Sequence, residues 1–377
     1  MPEDLDSVAG ECSWDDPHGA LCLIIMATYN GIDFIDGQVQ SIRNQSEPRW
    51  LLLASDDDST DGTFEFLEEA AAEDPRVRIV RNEGVHGAYA NFFSAVRLAK
   101  SELAGSPESK MPPYLFFADQ DDIWESDKIA VMTAELARIE ASSVGTRPAL
   151  CYSNRLLIDG DGAAFGQTID SGDRAFVDNP LSIFFFRGSI AGCAMAFNRA
   201  LMDVTACPEE ADSLVAHDAY FAMGAAAFGF VSYIERPLTR YRRHDGGNAS
   251  RMKVGRYGFA EALRTIASDM PEKRRLVARR FWSSLVFLHQ LPEDNDVTRE
   301  VRGVLDTGGV RAVRWCLSHH VFAHCGILAR VNTCFALLTR AYRKTEWFTD
   351  PDLLACIDGV PGDSASPQSR DGDGDGL

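Results

Sequence analysis

A mixed α/β fold with a mostly parallel central sheet is what the sequence predicts, on three observations. Short apolar runs bounded by turn residues recur over about the first 150 residues, each followed by a segment of helical spacing, the alternation of βαβ units. One of them, Tyr114-Leu-Phe-Phe-Ala118, has no polar face and reads as a strand buried on both sides, as in a parallel sheet. Three runs end in polar clusters: Thr28-Tyr29-Asn30, Asp56-Asp57-Asp58 and Asp119-Gln120-Asp121-Asp122. Open α/β sheets bind their ligands at the carboxyl ends of strands, so these clusters can share one crevice.

The elements follow in order. Leu21–Ala27 is a buried strand, and helical spacing from about Asp33 to Gln45 stops before Pro48. Trp50–Ser55 is the second strand, Phe64–Glu73 a helix, Val77–Arg81 the third strand and Ala88–Lys100 the next helix. After the strand at Tyr114, a helix runs from about Asp127 to Ala141, with Asp122 or Ser126 as its cap. Ala149–Ser153 reads as a further strand and Asp159-Gly-Asp-Gly162 as a turn. Ile183–Arg187 and Gly192–Phe197 are short apolar runs, and Ala216–Phe228 has helical spacing. Phe230–Ile234 and Leu238–Tyr241 read as extended, and from about Tyr257 the pattern turns helical with repeated Arg and Lys. Residues 1–19 and the Gly/Asp/Ser/Pro tail 361–377 are expected to be disordered.

Composition narrows the function. The chain has 377 residues, 45% hydrophobic, enough for two domains or one large domain with a helical addition. A net charge of −19 excludes nucleic acid as the natural partner, because phosphate binding needs a basic surface. Nine dispersed cysteines, with no Cys-x-x-Cys pair, read as reduced core residues of a cytoplasmic protein. The opening residues are polar and acidic, unlike a signal peptide, and no apolar run reaches the length of a membrane span.

Asp119, Asp121 and Asp122 repel one another, and nothing in their immediate sequence neutralises them. A hard divalent cation, Mg²⁺ or Mn²⁺, takes oxygen ligands of this kind. A site this acidic holds a phosphate only with a cation between them, so the ligand expected is a diphosphate attached to a hydrogen-bonding ring such as a nucleobase. Within the Asp-rich segment after the second strand, Asp58, Ser59 and Asp61 read as turn and cap residues, leaving Asp56 and Asp57 for function.

Thr28-Tyr-Asn30, Ser55-Asp-Asp-Asp-Ser-Thr-Asp-Gly-Thr63 and Asp119-Gln-Asp-Asp-Ile-Trp124 together resemble the family-2 inverting glycosyltransferases of GT-A fold, and within them the rhamnosyltransferase-like branch. The resemblance covers roughly residues 20–250 and implies a nucleotide-binding half (20–125), an acceptor half (126–250) and a helical C-terminal region (251–360). The family's Asp-Asp-Gly-Ser reads Asp-Asp-Asp-Ser here, so Asp58 replaces a turn glycine; Asp tolerates left-handed backbone better than most residues. The resemblance implies that Thr28, Tyr29, Asn30, Asn91 and Gln120 line the nucleotide and that Asp56 or Asp57 binds the base. It implies that Asp119 and Asp121 hold ribose and metal, Asp121 more directly.

In Ala216-His-Asp-Ala-Tyr220, Asp218 matches the family's general base, with His217 beside it; without the family the same residues read as a helix start. Gly192, in Ser189–Arg199, matches a segment where the backbone approaches the acceptor, or is part of a buried strand. Asp122 and Trp124 fall on the same acceptor and diphosphate side. Arg242, Arg243 and His244, in Arg240–Asn248, suit a diphosphate, and neutral His244 a metal, or they form a plain basic loop.

The donor implied is a dTDP- or UDP-linked sugar, with rhamnose foremost, and the acceptor a glycan or lipid-linked glycan in cell-surface polysaccharide assembly. A sugar-phosphate nucleotidyltransferase also couples βαβ units with carboxylate-bound Mg²⁺, but Ala27-Thr-Tyr-Asn-Gly-Ile32 lacks a Gly-rich basic phosphate loop. A glycoside hydrolase needs two carboxylates and no nucleotide pocket. A binding module without turnover is the reading if Asp218 lies far from Asp119 and Asp121. The basic, aromatic segments Lys273–Arg280 and Arg311–Lys344 either touch a membrane surface at the inner face of the cell membrane or pack on their own domain or a second subunit. His319, His320 and His324 read as structural, with no acidic partner nearby.

Overall fold

The computed structural model describes residues 19–103, 112–143, 146–169, 174–186, 190–205, 207, 215–243, 277–291, 294–323 and 325–343. The expected disordered ends, the basic loop from His244 onward, Lys273–Arg275 and His324 lie outside the described residues.

Strands and helices alternate through the first half: β1 (Cys22–Thr28), α1 (Ile32–Arg43), β2 (Trp50–Asp56), α2 (Thr63–Glu73), β3 (Val77–Arg81), α3 (Ala88–Leu103) and β4 (Tyr114–Asp119). β3, β2, β1 and β4 are all parallel, in that spatial order. The period-2 geometry of a strand sends alternate residues to opposite faces. Leu23, Ile25, Leu51, Leu53, Leu115 and Phe117 enter one core, with α3. Cys22, Ile24, Met26, Leu52, Phe116 and Ala118 enter the other, with α1 and α2. That is why these strands read as continuous apolar runs.

Beyond β4 the sheet is mixed. After β5 (Ile123–Trp124) and α4 (Lys128–Ala141) come β6 (Ala149–Ile158), β7 (Ala164–Thr168), the short α5 (Ala175–Asp178) and a 3-10 turn at Pro180–Phe184. A second 3-10 turn, Gly192–Ala194, leads into β8 (Met195–Asn198), α6 (Arg199–Val204), α7 (His217–Phe228) and β9 (Phe230–Arg242). β8 lies antiparallel between β4 and β6, β9 runs parallel to β6, and β5 pairs antiparallel with β9. The sheet therefore curls, because Asp119–Asp122 alone carries the chain from β4 to β5, at opposite ends of the second half.

Two expectations need correction. The extended stretches 230–234 and 238–241 are one strand: Pro237 sits where the β6–β9 register shifts, so a bulge absorbs the missing N–H. Neither Asp122 nor Ser126 caps α4; its N-cap is Asp127, whose side chain makes no capping bond.

The C-terminal helices, α8 (described over 277–290), α9 (Asp296–Thr307), α10 (Gly309–Ser318) and α11 (Ile327–Thr339), share the first core. Phe287 packs edge-on to Tyr220 of α7, and Phe281 edge-on to Phe185. No described helix is long and apolar enough to cross a membrane. His319 does have an acidic neighbour: it stacks on Trp315, and Glu300 of α9 lies 3.7 Å from its Nε2 while accepting the Trp315 indole N–H.

Candidate active site

The ends of β1, β2 and β4 converge, as their parallel register requires. The turn after β1 is pinned by four successive backbone N–H groups. Tyr29 donates to Gln120 Oε1, Asn30 to Ser59 Oγ, Gly31 to Thr63 Oγ1 and Ile32 to Asp61. Gln120 also donates to the Tyr29 carbonyl, so both ends of its amide hold this turn in place, while the Tyr29 ring stays 58% exposed. The Asn30 side-chain oxygen accepts from Thr60 N–H.

Asp56 is fully buried and accepts from Thr28 Oγ1 at 2.7 Å, Ser59 N at 2.8 Å and Ser59 Oγ at 2.6 Å. Asp57, also buried, accepts from Asn82 Nδ2, Gly87 N and His86 Nδ1, all within 2.9 Å. Asp58 takes φ +61°, the left-handed backbone a turn glycine would supply. Asn91 is buried and exchanges two hydrogen bonds with Ser55, tying α3 to β2.

The acidic turn is the electrostatic centre. Asp119 is half-buried and Asp122 fully buried. The Asp119 carboxyl is held well above the usual carboxylate range, first by burial and next by the charge of Asp121, with Asp218 adding to it. Asp122 is raised likewise by burial, Asp121 and Asp119, while the Arg242 N–H at 3.0 Å and the Cys193 thiol work against the rise. One oxygen of Asp122, buried, has no hydrogen-bond partner among the described residues.

Beneath this turn lies a cation that sequence reading overlooked. Lys128 is completely buried at the start of α4, 3.8 Å over the Trp124 ring, and donates to Thr239 Oγ1 at 2.9 Å and the Cys193 carbonyl at 2.5 Å. Loss of water lowers its pKa to about 7, and Cys193, Asp122 and Asp119 resist that fall. Arg155, buried on β6, also pulls Asp119 downward. The carboxylates are therefore partly compensated from below, contrary to the expectation from their immediate sequence.

Asp119, Asp122 and Cys193 could together surround an ion, their ligand atoms lying within 4.8 Å of one another. Chemistry argues against that grouping. Burial drives the Cys193 thiol far above its ordinary value, and a neutral thiol is a poor ligand for a hard cation. That thiol lies close enough to both carboxyls to work against the rise in their pKa values. Asp119 and Asp121, both only partly buried, are the carboxylates of this turn whose oxygens could hold a hard divalent cation such as Mg²⁺ or Mn²⁺.

α7 brings the remaining predicted residues in. His217 stacks on Phe92 at 3.8 Å and meets Phe117 edge-on at 4.8 Å. A Cβ on Gly192 would lie 2.5 Å from His217 Nε2, so the group that uses the missing side chain is this imidazole. Asp218, half-exposed in the first helical turn, accepts from Ala219 N and lies within electrostatic reach of Asp119. Trp124 is buried against Phe116 and Lys128, where it shapes the floor of the turn. The Arg242 guanidinium donates from Nε to the Asp121 carbonyl and from Nη1 to those of Asp159 and Gly160, so it ties two turns together. Arg243 donates its N–H to Ile158.

Residues 23–200 match the model of glycosyl transferase family 2. This segment, a little under half of the chain, is a glycosyl transferase family 2 domain. The sheet of the described residues is mixed and curled, with helices packed on both faces. Among curated relatives of the chain is the teichuronic acid biosynthesis glycosyltransferase TuaG of Bacillus subtilis, 33% identical over 109 residues. That match spans 29% of this chain and only 39% of TuaG. The dTDP-rhamnosyl transferase RfbG of Shigella flexneri is 27% identical over 251 residues, 62% of this chain and 78% of RfbG. Among solved structures, S. aureus TarS with UDP-GlcNAc aligns over 85% of this chain and 82% of that one at 14% identity and a TM-score of 0.49.

The candidate site also contains three residues that the sequence reading did not name: Lys128, Cys193 and His86. Lys128 left a trace as a lone lysine at the start of an otherwise apolar helix face, and Cys193 lay beside Gly192 in Ser189–Arg199, whereas His86 is joined to the site by folding alone.

Proposed function

We propose that this chain is a family-2 transferase and moves a sugar from a nucleoside diphosphate donor to a glycan or lipid-linked glycan acceptor in cell-surface polysaccharide assembly, with inversion at the anomeric carbon. The observation that carries this reading is that Asp218, from α7, shares one electrostatic field with Asp119, from β4, although about a hundred residues separate them. A binding module needs the acidic turn but not a second carboxylate facing it. A dTDP-linked donor with rhamnose as the sugar is supported by the RfbG likeness, and UDP is the other nucleotide considered. In this reading the nucleotide-binding half is 20–125, the acceptor half, which carries Asp218, 126–250, and the helical extension 251–360.

In this reading Asp218 takes the proton of the acceptor hydroxyl as its oxygen attacks the anomeric carbon, and the bond to the diphosphate oxygen breaks on the opposite face. Asp119 holds the ribose, and Asp57 meets the base with His86 beside it. Thr28 and Ser59 keep Asp56 rigid beneath them. Gly192 and the stacked His217 fix the acceptor wall. A divalent cation held by Asp119 and Asp121 would supply charge neutralisation for the departing diphosphate.

The test is thermal melting with Mn²⁺ and UDP, dTDP, GDP or CDP in turn. A ligand at a hundredfold excess over its dissociation constant stabilises by about 2.7 kcal/mol. One diphosphate should raise the midpoint, only with Mn²⁺, and Asp121→Ala should abolish the rise. Asp218→Asn should keep the rise and lose turnover. No shift with any nucleotide would overturn the donor site.

A further inference from the structure

The most unusual surface of the molecule lies on α10 and α11, far in sequence from the acidic turn. α11 buries Ala336 and Leu337 in the core yet also keeps an apolar face outside. Its Asn332 and Thr333 are buried at 6% and 1% exposure, whereas Ile327, Val331 and Leu338 stand 78%, 53% and 50% exposed. Those three fall at i, i+4 and i+11, within about 40° of one another around a helix of 3.6 residues per turn, so they form one outward stripe. α10 packs against α11 and carries its own exposed pair, Val310 and Leu317, one heptad apart with exposed Arg314 between them. A scattered exposed leucine is ordinary, but an aligned apolar stripe beside a second exposed apolar pair is not.

Charge singles out the occupant. Between Asp306 and Glu346 the sequence has no Asp or Glu at all, in a chain that holds 56 of them. The same stretch carries Arg311, Arg314, Arg330 and Arg340, all exposed, and Arg343, which pairs back to Asp306. Arg311 and Arg314 make no ion pair among the described residues. A cationic, apolar patch on a protein of net charge −19 cannot be a general feature of its surface. A second copy docking through the same patch by a two-fold axis would set arginines against arginines. An anionic bilayer satisfies both features at once: headgroup charge for the guanidiniums and acyl chains for the stripe.

We propose that α10 and α11 are a peripheral attachment surface for membranes rich in anionic phospholipid. At 10 and 13 residues neither helix is long enough to span, and both suit lying in the headgroup plane. The attachment does not depend on the donor reading, and its test uses no nucleotide.

The experiment is co-sedimentation of the full chain with vesicles of phosphatidylcholine alone and of phosphatidylcholine with 30 to 40% phosphatidylglycerol (about the anionic fraction at which such attachment is strong). Binding should require phosphatidylglycerol and weaken with salt. The triple variant I327S/V331S/L338S, and separately R311Q/R314Q, should reduce partitioning at least tenfold, since each cation near an anionic surface is worth roughly fivefold. Far-UV circular dichroism and unchanged melting would show that both variants still fold. Equal binding to neutral and anionic vesicles, or unchanged binding by both variants, would overturn the proposal. So would a dimer in light scattering that the triple variant converts to monomer.

Discussion

The Lys128 ammonium sits 2.5 Å from the Cys193 carbonyl oxygen, joining the start of α4 to the turn that carries the Cys193 thiol onto Asp119 and Asp122. One buried cation thus holds the turn in register and offsets the charge above it. Removing it deprives Thr239 Oγ1 of a donor, leaves the Cys193 carbonyl with only the Thr239 hydroxyl at 3.1 Å, and leaves two carboxylates less compensated. Lys128→Met should therefore cost about 3–5 kcal/mol, the scale for breaking a buried charged network. Urea unfolding measures this. A loss under 1 kcal/mol would mean that Lys128 is buried but idle.

Gly192 and His217 predict a coupled pair. A Cβ at 192 would need the imidazole to retreat, and the stack on Phe92 blocks its retreat. Gly192→Ala should lower kcat at least tenfold, about 1.4 kcal/mol of barrier, while the nucleotide-induced melting shift stays intact. Adding His217→Ala should recover part of the lost stability, because the clash has gone. If the two stability losses simply add, the residues are not sharing that space.

Arg242 predicts a loss without a loss of charge. Its guanidinium reaches the carbonyls of Asp121, Asp159 and Gly160 at 2.7, 3.1 and 2.6 Å, a fork no ammonium can reproduce. Arg242→Lys should destabilise by about 1–3 kcal/mol and weaken the Mn²⁺-dependent melting shift, since the acidic turn loses its brace. If nucleotide binding instead fell while stability stayed at the wild-type value, the guanidinium would be a ligand contact after all.

The strands were legible because burial on both faces leaves an unbroken apolar run, as in Leu115–Ala118, and the strand-end motifs were legible because catalytic oxygens cluster locally. What could not be read was who partners whom across the sheet. Nothing near Asp122 announces the N–H of Arg242, and nothing near Asp57 announces His86. Gln120, read as a nucleotide contact, has its amide turned back onto Tyr29, an arrangement that depends on two strands being neighbours. The Arg242 guanidinium looked free because sequence shows charge and not the carbonyls of Asp121, Asp159 and Gly160 that accept from it. Lys128 was missed for the opposite reason: a lysine at a helix start suggests solvent, and only the curl of the sheet puts it inside.

The raised pKa values of Asp119 and Asp122 give the last prediction its sign. Both carboxyls bind protons more tightly folded than unfolded, so the folded protein holds extra protons above the unfolded carboxylate range. Their contribution to stability is fully present below the unfolded pKa, about 3.9, and is lost as pH rises through the folded values. A divalent cation at Asp119 and Asp121 reverses this, because it needs the ionised carboxylates and compensates them. In chelator, the melting midpoint should fall as pH rises from about 5 to 8; with Mn²⁺ it should fall less, so the metal-induced difference widens with pH. Asp119→Asn, with its charge gone, should flatten both the pH dependence and the metal response. A Mn²⁺ shift that is equal at both ends of that range, or that survives Asp119→Asn, would place the cation elsewhere.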